Sequence, residues 1–137
     1  MSQNKLLELR PVRSQRERQA ERAWREASAA VDRERQALET IRATLTARRK
    51  AYRQERAAWL ADQRERTVSL RDVQRREECE RAVLLELQHL EAQLAEQHER
   101  LAQGQRDCEQ AQVSLTSRRR ALERLDALLD HMAKETA

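Results

Sequence analysis

Arginine is the residue type in this chain best suited to chemistry with a partner. There are 25 Arg against 3 Lys, with runs at Arg48-Arg49-Lys50 and Arg118-Arg119-Arg120. A guanidinium keeps its charge at any ordinary pH and offers a planar fork of donors, so it suits carboxylates and phosphates. Two readings compete: contact with a nucleic acid or an ATPase, or a solvated, helix-favouring face in an arginine-biased chain. A net charge of +4 with acids interspersed is poor footing for phosphate-backbone binding. No nucleic-acid partner is therefore expected, although Arg118 falls at a position that solvation alone does not explain. Catalytic groupings are absent from the pattern. His89, His98 and His131 pair with neither Cys79 nor Cys108 at metal-ligand spacing. A single Gly rules out a phosphate-cradling glycine-rich loop. Neither an enzyme, a metal site nor a cofactor is expected.

The elements that must position these arginines are legible in two ladders. Every seventh residue from 24 to 59 is large: Trp24, Val31, Leu38, Leu45, Tyr52 and Trp59. The residue before each is small: Ala23, Ala30, Ala37, Thr44, Ala51 and Ala58. A second ladder runs through Leu87, Leu94, Leu101, Cys108, Leu115, Leu122 and Leu129. Seven residues make two turns of a slightly underwound helix, so each ladder is a coiled-coil seam. Tyr52 and Trp59 are thus seam residues first and partner contacts second.

Composition agrees. With 38% charged residues, one Gly, one Pro and 2% aromatics, the chain lacks the materials of sheets and tight turns. Ala, Glu, Leu, Arg and Gln dominate, all good helix formers. Burial must come from a narrow stripe, which predicts a single elongated domain over 1–137 with fraying at both termini. High charge also resembles disorder, but a disordered tract has no reason to hold a heptad frame over five repeats. No run approaches the ~18 apolar residues of a membrane span, and the start of the chain shows no signal-peptide core. A cytoplasmic location is expected. On one helix Cys79 and Cys108 would lie roughly 43 Å apart, beyond disulfide reach.

The ladders break between Glu65 and Asp72. Thr67 and Val68 are poor helix residues, Ser69 suits an N-cap, and Asp72 stands three residues on as a weak capping-box acid. A turn near 66–69 follows, with helix 1 at about 11–66 and helix 2 at about 69–134. Pro11 is placed in the first turn of helix 1, where its missing N–H costs little. The fold class is all-α: two long helices in an antiparallel coiled-coil hairpin. Facing residue numbers in such a pair share a constant sum, and the two heptad frames permit 128, 135 or 142. The value 135 centres the turn between Thr67 and Val68. It sets Trp24 against Ala111, Val31 against Gly104, Ile41 against Leu94, Leu45 against Leu90 and Tyr52 against Val83, bulky residues repeatedly meeting small ones. Arg48 opposite Leu87 and Glu34 opposite Leu101 are weak layers. Charge favours the same pairing: residues 1–66 hold 17 Lys/Arg and 10 Asp/Glu, residues 67–137 hold 11 and 14, and arms of opposite sign attract.

Several segments resemble the YscO/FliJ group of type III secretion proteins, the injectisome YscO family more than the flagellar form. Leu6-Leu7-Glu8-Leu9-Arg10-Pro11-Val12-Arg13-Ser14-Gln15-Arg16 is similar to that group's L-x-x-L-R-x-x-R opening. Tyr52-Arg53-Gln54-Glu55-Arg56 followed by Trp59 resembles its Y-R-x-x-R segment. The entry Val68-Ser69-Leu70-Arg71-Asp72 and the stretch from Arg118 to Leu129 also resemble it. The resemblance implies a non-enzymatic stalk peripheral to the inner-membrane secretion apparatus. One end would be held in a hexameric export ATPase, and the tip would reach the cytoplasmic domain of the export gate. ATPase-contact candidates are then Arg13, Arg16, Arg118, Arg119, Arg120, Arg124, Leu125 and Leu129. Gate-contact candidates are Tyr52, Arg53, Arg56 and Trp59. Secretion chaperones are further implied partners, and the chain itself would be a monomer or weak dimer. The competing expectation is a self-assembling coiled-coil scaffold or tether, or a chaperone escort, without ATPase coupling.

Overall fold

A chain this rich in helix formers should propagate a helix until a capping signal stops it. In the computed structural model of the chain, which describes residues 3–64 and 67–136, it does. Helix α1 spans Gln3–Gln63 and helix α2 spans Leu70–Thr136. The two pack against each other as an antiparallel hairpin.

Ser69 caps α2. Its Oγ accepts from the Asp72 backbone N–H at 3.2 Å, while its carbonyl accepts from the N–H groups of Asp72 and Val73. Asp72 then lies in the first turn, where its charge complements the helix dipole. Gln63 is the last residue of α1 and Arg64 begins the turn. The expected end of helix 1 at Arg66 lies outside the described residues.

The expected start at Pro11 is corrected. Pro11 sits inside α1, eight residues after Gln3. It has no N–H for the Leu7 carbonyl, a defect that costs about 3 kcal/mol in a helix interior. Contacts on either side of Pro11 carry the helix through, from Leu6 and Arg10 before it and from Arg13, which bonds the Ala121 carbonyl, after it. Leu6 is only 5% exposed, and Arg10 bonds Asp126 of α2 at 2.8 Å.

The hairpin divides into two compact units. The terminal unit comprises Met1–Arg33 with Ala102–Ala137, and the central unit comprises Glu34–Leu101. In the terminal unit the core is Leu6, Val31, Leu115 and Leu125, flanked by half-buried Trp24, Ala27, Cys108, Leu122 and Leu129. Val31 Cγ2 stands 3.6 Å from where a Cβ on Gly104 would lie. Val31 and Gly104 thus face each other, in the register whose numbers add up to 135. In the central unit the core is Leu38, Leu45 and Leu87, with one buried polar residue, Gln97, 5% exposed.

The weak layers resolve differently from their simple pairing. Arg48 does not lie over Leu87: it is exposed, and its guanidinium bonds Glu86. Glu34 is met by Gln97 rather than by Leu101 alone. The Gln97 amide donates to both the Glu34 carbonyl, at 3.1 Å, and the Glu34 carboxylate. Long polar side chains reach a full turn along the seam, which a Cα-level register cannot express.

Candidate partner-binding surfaces

On the terminal unit the sequence places six arginines, and the structure sorts them. Arg13 occupies a seam position, half-buried, and its Nη1 donates to the Ala121 carbonyl at 3.1 Å. That bond spans the two helices and caps no helix end, so it fixes the guanidinium in place. Arg13, Arg16 and Arg118 come together with Ala121 around a groove of about 190 Å³. Arg119, one residue on and therefore rotated about 100° around the helix, turns to α1. It pairs there with Glu17 at 3.2 Å and Glu21 at 3.9 Å. Arg120 and Arg124 lie on an outer face of α2 with Gln112, Val113, Thr116 and Ala121, around an open depression of about 690 Å³. Val113 is 69% exposed there.

Leu125 is corrected as a contact candidate. At 2% exposure it is the most fully buried large side chain among the described residues, so it holds the hairpin and cannot meet a partner. The heptad explains this: Leu125 is a d residue whose neighbours Leu122 and Leu129 are half-buried beside it. Leu129 keeps some accessible surface.

On the central unit, Tyr52 and Trp59 are half-buried seam residues. The Tyr52 hydroxyl donates to Glu80 of α2 at 2.5 Å. That hydrogen bond, and then partial burial, push the phenol pKa above its ordinary value. Arg56 approaches the same carboxylate at 3.9 Å, so Glu80 gathers two gate candidates at once. Trp59 carries the Arg76 guanidinium over its ring, 5.6 Å from the centroid, a cation–π contact. Arg53 is exposed. Trp59, Val68, Arg75 and Arg76 line a cleft of about 380 Å³ beside the turn. Sequence reasoning missed Glu80 and Arg76. Both occupy seam positions of α2, continuing its frame backward from Leu87 and Val83, and that signal could have found them.

Other chemistry is dispersed. His89 meets Gln93, His98 meets Arg42 and His131 meets Glu135. Cys79 and Cys108 are free thiols. Among the described residues no His, Cys, Asp and Glu cluster could hold a metal ion, and no helix is long and apolar enough to cross a membrane. What the arrangement offers is recognition: fixed and free guanidiniums at one unit, engaged aromatics at the other.

Compared with protein-family models, with curated proteins and with solved structures, the chain matches none.

Proposed function

We propose that this chain is a non-enzymatic stalk of a type III secretion export apparatus. Its terminal unit would enter a hexameric export ATPase, and its turn-bearing unit would reach the export gate. The observation that carries the reading is the arginine set of the terminal unit. Arg16, Arg118, Arg120 and Arg124 are exposed and form no ion pair among the described residues, with Glu109 lining the depression that Arg120 and Arg124 share. The sequence motifs that resemble the YscO/FliJ group lie on the same residues. An asymmetric two-helix element inside a six-fold ring touches non-equivalent subunits, so it biases their nucleotide states differently and couples hydrolysis to the gate. Location at the cytoplasmic face of the inner membrane follows from those partners. Mixing the chain with the cognate export ATPase is expected to promote ring assembly and raise hydrolysis. A stoichiometric mixture showing neither binding nor stimulation overturns the reading.

Exposed leucines favour a second reading, a self-assembling scaffold. Leu84 and Leu85 are adjacent and exposed on α2, the latter at 65%, and a second copy would cover them. Sedimentation separates the two: a stalk stays a monomer or weak dimer, and a scaffold forms a stable oligomer.

A further inference from the structure

Three acids of the terminal unit are engaged by other arginines. Asp126 takes Arg10, Glu21 takes Arg25, and Glu17 with Glu21 takes Arg119. Arg13, Arg16 and Arg118 form no ion pair among the described residues, yet they share one groove, and no carboxylate lines it. Two of the three, Arg13 and Arg118, stand at seam positions where packing alone asks for apolar side chains. Arg13 is half-buried and held by the Ala121 carbonyl, which occupies one N–H and leaves the rest of its fork available. Three like charges around one concavity repel unless an anion sits among them. Glu17 is sequence-adjacent to Arg16 but is engaged by Arg119.

We propose that the groove of Arg13, Arg16 and Arg118 is a binding site for a phosphoryl dianion. Guanidinium forks match phosphate oxygens two at a time. A doubly charged group answers three guanidiniums better than the single charge of a carboxylate. The site does not depend on the stalk reading, because the chain alone reports it. The phosphoryl group has two sources, a soluble phosphate or a phospholipid headgroup, and the test has an arm for each.

In the first arm, calorimetric titration of the full chain with inorganic pyrophosphate at about 0.1 M salt, a strength that already screens loose surface attraction, saturates at one equivalent. Arg118→Gln or Arg16→Gln weakens it about tenfold, the effect of one lost charge-assisted hydrogen bond. Both residues are exposed, so neither substitution endangers folding. Arg35→Gln removes the same charge from the central unit and leaves the titration unchanged. In the second arm, the chain floats with phosphatidic acid vesicles. Flotation lost in Arg118→Gln and displaced by pyrophosphate assigns the headgroup as source, and titration without flotation assigns the soluble phosphate. If neither arm saturates, or if Arg35→Gln weakens both as much as Arg118→Gln does, the site is overturned.

Discussion

The two units of this hairpin differ in how their arginines are answered at the helix–helix contact. In the central unit several polar side chains find a partner on the other helix. Arg48 bonds Glu86, Arg49 bonds Glu91 at 2.8 Å, Tyr52 bonds Glu80, and Gln97 is buried against Glu34. In the terminal unit Arg119 is answered by two acids, while Arg118 and Arg16 beside it are answered by none and face a shared groove. Exposed ion pairs contribute little to stability, so the difference is poorly explained as a stability device. The cross-helix bonds of the central unit hold its register, whereas Arg16 and Arg118 of the terminal unit face their groove with no ion pair among the described residues.

The comparison can be broken from its apolar side first. Leu125→Ala should cost about 2–4 kcal/mol in urea denaturation, the usual price of a buried Leu truncation, because Leu125 is the best-buried residue of the terminal core. A cost under about 1 kcal/mol would show that this end is held by its polar contacts instead. Gln97→Ala should cost about 1–3 kcal/mol by leaving Glu34 without its buried donor. A neutral result would remove the claim that the central unit specifies register through that layer. Gly104→Ala should stabilise by about 1 kcal/mol, since the added methyl meets Val31 at ordinary contact distance; melting temperature is the readout, and a fall would show that the seam there has no room. The smallest effect concerns pH. The Tyr52 phenol is raised in the folded chain, so its contribution is fully present below its unfolded value near 10 and is lost as pH climbs through the folded value. Denaturation midpoints at about pH 8 and pH 11 should therefore converge between the native chain and Tyr52→Phe at the higher pH. A gap that stays constant would deny the bond to Glu80.

Much of the architecture was legible because heptads encode which residues face inward. Val31 against Gly104 and the Ser69 cap both follow from spacing and residue type. Pro11 was misread because local rules see the missing N–H and cannot see Leu6 and Arg10 before it and Arg13 after it anchoring the helix. Leu125 was misread for a related reason. A motif match ranks residues by type, whereas burial depends on the opposing helix. The sorting of Arg118 from Arg119 turns on a single 100° step and on where Glu17 and Glu21 happen to lie, information distributed over a hundred residues of separation. The groove of Arg13, Arg16 and Arg118 could not have been found on one strand of sequence, since it exists only once the register is set.

On the proposed stalk role, the arginines of the terminal unit without an ion pair among the described residues are the contacts with an export ATPase. The direct measurement is ATP hydrolysis by that ATPase with three forms of the chain: native, Arg16→Gln/Arg118→Gln/Arg120→Gln/Arg124→Gln, and Arg48→Gln/Arg49→Gln. The account predicts stimulation by the native chain, its loss in the terminal variant and its retention in the central one. No stimulation by any form, or equal loss in both variants, would contradict it.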